Sequence, residues 1–444
     1  MTPARNRELA ALIPVALLLT AGFAAVFNQE NAQLGNLSLI YGAYFFGACL
    51  ATHIFLRFRL PNADPYLFPL MALLTAFGLV MVYRIDENLA RDQANWFVLG
   101  LVLFALTIQF LRDYEVLERY RYTIAAAGLL LLLAPRLPGI GQQVNGAYLG
   151  VKIGPLAFQP AEFSKIAIVI FLASYLRERR EVLIVGARRV MGVTLPPLKH
   201  FGPMLVVWGA SMFMLVFIRD LGSSLMFFAA FLALLYVATG RFSFVVIGMA
   251  MFVVGAWFFA TTVPHVGQRV DIWLNPYSEP TEGGYQILQS IFAQADGGLF
   301  GKGFGQALIT IPGTHAALLP AAQTDTIYAL IVNETGLFGA CGLILVYLLI
   351  AARGFKVALL ASDGFSKLLA TGLTAVFSIQ AFVIVGGVTR VIPLTGVTLP
   401  FVSYGGSSIV ANFVLLALLL LISDRARREA LAEPPGRPLA LGNA

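Results

Sequence analysis

The sequence predicts an all-α polytopic membrane protein, a bundle of about twelve transmembrane helices with one long external loop. Three observations predict it. Hydrophobic residues make up 59% of the 444 and charged residues 12%, against roughly 45–50% and about 25% in ordinary soluble domains. Apolar stretches near the length needed to cross a ~30 Å hydrocarbon core recur along the chain. The Lys and Arg residues divide unevenly between the two alternating sets of connecting segments.

The stretches lie at 10–27, 37–56, 66–83, 95–111, 122–135, 160–176, 202–218, 222–239, 242–260, 327–352, 366–388 and 407–423. The first follows Arg5 and Arg7 and shows no small-residue cleavage site before Asn28, so it is expected to be a retained signal anchor. With the N-terminus cytoplasmic, inside segments carry 21 of the 30 Lys and Arg, outside segments carry 8, and Lys165 falls within a span. Positive charge favours the cytoplasmic side. Both termini are therefore expected to be cytoplasmic and the 261–325 loop external.

The net charge of +7 belongs to loops that face anionic headgroups, and nucleic-acid binding does not follow from it. Cys49 and Cys341 lie in separate spans, a pattern of neither a disulfide framework nor a metal site. His53, His200, His265 and His315 lack ligand spacing. The chain divides into 1–65 with two spans, a main unit at 66–423, and a tail at 424–444 whose Arg, Ala, Glu, Pro and Gly content suits disorder.

Three connecting segments mix Gly and Pro with charge: 145–165, the long loop, and 393–408. Irregular backbone at membrane depth is tolerated only under protein or in a wet cavity, so the third is expected to be a re-entrant or broken element. In the first, Pro160 opens a helix on which Glu162 and Lys165 share a face. They form either a neutralised pair that closes the bundle or part of a cavity open to the outer leaflet. In the long loop only Asp325 abuts a span. As an ordinary residue it would cap the following helix. As a functional one it would be a general base, its pKa raised by partial desolvation. Glu334 lies roughly 13 Å further along that helix and must be paired or wet. The cluster Gly297-Gly298-Leu299-Phe300-Gly301-Lys302-Gly303 puts a cation in flexible backbone that could hold a pyrophosphate. It lacks the P-loop pattern.

These segments resemble the shape, elongation, division and sporulation family, the polytopic peptidoglycan glycosyltransferases RodA, FtsW and SpoVE. The matching stretches are FQPAEFSK at 158–165, DLG at 220–222, GYQI at 284–287 with the Gly cluster, TD at 324–325 with Glu334 and Gly336, and PLTGVTLPFVSYGGSS at 393–408. The likeness covers about 66–423, and the two additional N-terminal spans resemble those of actinobacterial RodA proteins. Departures fall at Tyr148, Arg219, Thr326 and Asn333.

The resemblance implies a ten-helix core plus the N-terminal pair, and polymerisation of lipid II into glycan strands for elongation and cell shape. Asp325 would be the catalytic base. Glu162, Lys165, Arg269, Gln286, Lys302, Glu334 and Ser403 carry over as substrate-binding. Undecaprenyl pyrophosphate would leave toward Arg269 and Lys302 or a divalent cation, Mg2+ or Mn2+, with no organic cofactor, and a class B penicillin-binding protein would be the partner. The competing readings are a lipid II flippase lined by Glu162, Lys165 and Glu334, and a scaffold for a transpeptidase.

Overall fold

The computed structural model describes residues 3–29, 37–144, 147–154, 156–185, 188–190, 193–195, 209, 217, 220–311 and 317–432. Helices occupy eleven of the twelve predicted spans. The remaining stretch, 202–218, lies outside the described residues except at 209 and 217. Nine of these helices are long and apolar enough to cross a membrane among the described residues. Arg121–Leu133 has only 13 residues, and Pro160–Val185 buries Glu162 and Lys165 in its first two turns.

Helices α1 (Pro3–Gln29) and α2 (Leu37–Arg59) run antiparallel against α3 (Leu67–Ile85) and α4 (Glu87–Phe110). One end of the pair is fixed by buried charge. Arg5 Nη1 reaches Glu8 Oε2 at 2.5 Å, His53 Nδ1 reaches Glu8 Oε1 at 2.7 Å, and Arg5 Nη2 donates to Ala63 O. Asp64, also buried, takes Arg353 and Arg427. At the opposite end Phe23, Tyr41 and Tyr83 pack ring against ring. Gly406–Ala432 runs through the centre, with 89% of its apolar window buried, whereas Phe242–Thr262 lies at the periphery with 6%.

The long loop is largely structured. It holds helices Pro264–Leu274 and Tyr285–Gly297, the first opening on a proline whose missing N–H has no partner to lose there. The following helix, Ile327–Leu360, is 34 residues long, and its backbone breaks at Gly336 (φ 69°, ψ −175°). Backbone groups freed at membrane depth need partners, and the loop supplies them. Lys302 N donates to Asn333 O, Gly303 N to Glu334 O, Leu337 N to Gly298 O and Phe338 N to Leu299 O, all at 2.9–3.1 Å. A Cβ on Gly301 would stand 2.2 Å from Glu334 O, and one on Gly336 2.3 Å from Gly301 N. The Gly cluster therefore serves backbone-to-backbone docking.

Beside the helices expected of the fold, the chain forms a small antiparallel sheet, β1 (Gly141–Val144), β2 (Ala147–Ile153) and β3 (Leu156–Phe158), in the order β1-β2-β3. Val151 pairs with Gly141 on one side and Phe158 on the other. The sheet delivers the chain to Pro160.

Candidate functional site

Asp325 sits in the turn 320–326, where Thr324 N and Thr326 N both donate to Ala321 O and Thr326 Oγ1 donates to Pro320 O at 2.7 Å. Ala321 takes a left-handed φ of 54°, a conformation that costs a non-glycine residue roughly 1–2 kcal/mol. The helix begins after Thr326 without any side-chain cap. Capping is thus not the duty of Asp325. Its carboxyl is half-buried, and burial pushes its pKa up to about 6 against the opposing pull of the Arg269 charge and a Thr324 hydrogen bond.

The irregular 393–405 segment forms the facing wall. A Cβ on Gly396, itself at φ 74°, would lie 3.6 Å from Asp325 Oδ2. Ser403 Oγ donates to Thr324 O at 2.8 Å and accepts from Leu399 N at 2.9 Å, and Tyr404 N donates to Gln323 O. From α4, Gln93 Nε2 donates to Ser403 O while its Oε1 accepts from Gly405 N. Phe401 adopts a φ of 66°. Ala321 in the turn and Phe401 in the facing segment are thus both left-handed non-glycine residues, strain of a kind found at functional sites.

Charge gathers beside this wall. Arg269 Nη1 donates to Leu394 O and Thr395 O at 3.3 Å, and it acts electrostatically on both Asp325 and Asp220. Asp220 caps the helix Leu221–Thr239, accepting from Ser223 N and Ser223 Oγ. Burial pushes its pKa up, its hydrogen bonds to Ser223 oppose that, and the Glu162 charge adds to it. Gly222 lies where a Cβ would meet Val397 at 2.1 Å. Arg219, its neighbour in the sequence, lies outside the described residues.

Glu162 and Lys165 form a pair at 2.6 Å and are almost fully buried. Lys165 Nζ also donates to Gln380 Oε1 at 2.7 Å, and Gln380 Nε2 reaches Glu162 Oε1 and Thr398 O. Asn412 Oδ1 stands 3.5 Å from Nζ. The pair is thus neutralised within a buried polar network that the amides of Gln380 and Asn412 complete. The network still connects to the wall through Thr398, two residues from Gly396.

The other expected substrate residues are not gathered in one place. Ser403 spends its hydroxyl on backbone and is buried, which makes it a positioning residue. Glu334 is paired with Arg84 at 3.3 Å, and Arg84 in turn donates to Gly305 O and Ala307 O. Lys302 is bound to Asp296, which also accepts from Asn333. The partly exposed Asp296 has its pKa lowered by that Lys302 bond. Gln286 is half-buried in the first turn of Tyr285–Gly297. Of these residues, Arg269 is the cation brought near Asp325. Sequence reasoning missed Gln93, Gln380 and Asn412, although a lone amide within an apolar run was a usable signal for the last two.

The pattern of the FtsW, RodA and SpoVE family, described as cell cycle protein, matches residues 65–428. The chain belongs to this family. It is 40% identical over 442 residues to peptidoglycan glycosyltransferase RodA of Mycobacterium tuberculosis strain H37Rv, covering 97% of this chain and 92% of that protein. Stage V sporulation protein E of Bacillus subtilis is 30% identical over 379 residues, with 82% and 98% covered. Among solved structures, one reporting the structural coordination of polymerization and crosslinking by a peptidoglycan synthase complex superposes with a TM-score of 0.66 at 28% identity, covering 84% of this chain and 99% of that one. The crystal structure of Thermus thermophilus RodA gives 0.58 at 25%, covering 82% and 97%. The family's members of known structure are polytopic helical membrane proteins like this chain. The family match begins after α2, so the α1–α2 pair lies outside it.

Proposed function

We propose that the chain is a peptidoglycan glycosyltransferase that polymerises lipid II, with Asp325 as general base. The observation that carries the role is a half-buried carboxylate at the mouth of a membrane helix, free of capping duty, with a pKa near 6. Asp325 takes the proton of the acceptor sugar 4-hydroxyl as that oxygen attacks the anomeric carbon of the donor. The new C–O bond forms on one face as the bond to the pyrophosphate oxygen breaks on the other, so configuration inverts. The leaving pyrophosphate is stable as an anion, and one carboxylate suffices where glycosidases use two. Arg269, fixed on the carbonyls of Leu394 and Thr395, supplies positive charge to that anion.

Among the described residues no three His, Cys, Asp or Glu side chains form a metal cluster. A Mg2+ or Mn2+ ion would be carried by the substrate's own phosphate oxygens with a protein carboxylate beside it, the usual manner for Mg2+. The closed Glu162–Lys165 network favours an enzyme over a flippase, since a transport path must open to each side in turn. A class B penicillin-binding protein is the proposed partner, supported by the likeness to a chain of a peptidoglycan synthase complex.

The decisive experiment compares Asp325→Asn with wild type, each purified with its partner, by glycan product length on gels and by lipid II binding. Polymerisation should fall about 10²–10⁴-fold or more while binding persists. Activity within a few-fold of wild type in a well-folded variant would remove the general base.

A further inference from the structure

Beyond the site around Asp325, α1 to α4 line a half-open, largely apolar cleft of about 210 Å³ between the N-terminal pair and the family core. Leu19 and Phe23 come from the second half of α1, Phe45 and Ala48 from the first half and middle of α2, Leu79 and Tyr83 from the second half of α3, and Ala90, Ala94 and Phe97 from the first half of α4. All these positions fall at one end of the bundle. It is the end that carries Asp325, because Arg84, next to Tyr83, binds Gly305 and Ala307 of the long loop.

The chemistry of the walls limits the occupant. They are mostly carbon, with the charged pair Glu87 and Arg91 among the lining residues, and an apolar space of about 150 Å³ already accepts a benzene-sized guest. A transmembrane helix, about 10 Å across, is too wide. The inner side is closed, since Phe97 stacks on Phe45 at 5.1 Å and packs on Phe413 at 5.7 Å. Those rings stand between the cavity and the segment that faces Asp325, so the lipid carrying the reacting sugar has no path through it. At the rim, Arg91 meets Glu87 at 3.1 Å, and the two side chains are 69% and 55% exposed. A guanidinium has five donors and keeps several for a phosphate after that bond.

We infer that this cavity is a lipid site, holding one acyl chain of a glycerophospholipid whose phosphate lies at Arg91. A straight acyl chain suits a short cleft of this volume that opens toward the lipid, and a much longer methyl-branched polyprenyl tail finds room there for little of its length. With the chain in place α1 and α2 are joined to α4, the helix from which Gln93 clamps Ser403 and Gly405.

The test reconstitutes the full chain in phosphatidylglycerol and phosphatidylethanolamine vesicles with trace phosphatidylglycerol bearing a diazirine on one acyl chain, followed by irradiation and peptide mass spectrometry. Labelling should concentrate on 41–48 and 90–98. Ala94→Phe, which narrows the cleft, should lower it there about tenfold or more, the loss expected when at least two methylenes no longer find room. Labelling of the peripheral helix Phe242–Thr262 should not change. Ala48→Leu, acting from the opposite wall, must give the same selective loss if Ala94→Phe fails to assemble. Labelling no denser in the cleft than on Phe242–Thr262, or indifferent to both substitutions, would overturn the site. Displacement of the label by a polyprenyl phosphate at equal concentration would overturn the acyl assignment.

Discussion

Asp325 is ionised at neutral pH against the preference of its surroundings, and this has consequences for rate and stability. With its pKa at about 6, polymerisation should climb as pH rises through that value and level off above it, as a pH–rate profile of the purified complex would show. The sign for stability is opposite. A carboxyl whose folded pKa exceeds its unfolded value of 3.8 favours the folded state most below pH 4, and that contribution is lost as pH rises through 6. Asp325→Asn should accordingly melt no lower than wild type at pH 7. A clearly lower melting temperature would mean that the carboxylate itself holds the turn. Its position between loop and helix was legible in the sequence. That Ser403 acts through backbone was not, because its partners Thr324 and Gln93 are 79 and 310 residues away.

At the scale of elements, two contacts between distant segments decide the architecture. The first is the Glu162–Lys165–Gln380 network. Removing one member of a buried ion pair typically costs about 3–5 kcal/mol, whereas replacing both by apolar groups is often near neutral. Lys165→Met should therefore destabilise strongly, and Lys165→Met with Glu162→Gln should recover much of the loss, measured as thermal stability in detergent. Equal loss in single and double variants would contradict the coupling. The second is the break in Ile327–Leu360. Gly336→Ala places a Cβ 2.3 Å from Gly301 N at a positive φ, while Gly342→Ala in the same helix meets nothing within 4 Å. The first should abolish the folded yield, and the second should leave it unchanged, as size-exclusion profiles would report.

Over the whole molecule, orientation rests on the 21-to-8 division of Lys and Arg between sides. In a background without Cys49 and Cys341, an impermeant thiol reagent on intact cells should label Ser278→Cys and spare Ala430→Cys. The reverse pattern would invert the topology and put Asp325 on the wrong side for an external substrate. Other charges support the bundle at a distance from chemistry. Arg5, Glu8 and His53 pin the N-terminal pair at the end opposite Asp325, beside Asp64 and its two arginines.

Eleven of the twelve spans, the unusual segments and the position of Asp325 between loop and helix could be read from the sequence alone. Hydrocarbon requires about twenty apolar residues per crossing with every backbone group bonded locally, and such a demand is written in short windows. Tertiary structure alone decided which polar groups meet. Arg269 rather than Lys302 lies close enough to act electrostatically on Asp325, the Gly cluster docks on the broken helix, and Gln380 closes the Glu162–Lys165 pair. Each of these depends on the lateral packing of helices far apart in the chain, and lateral packing leaves no period or spacing in the sequence.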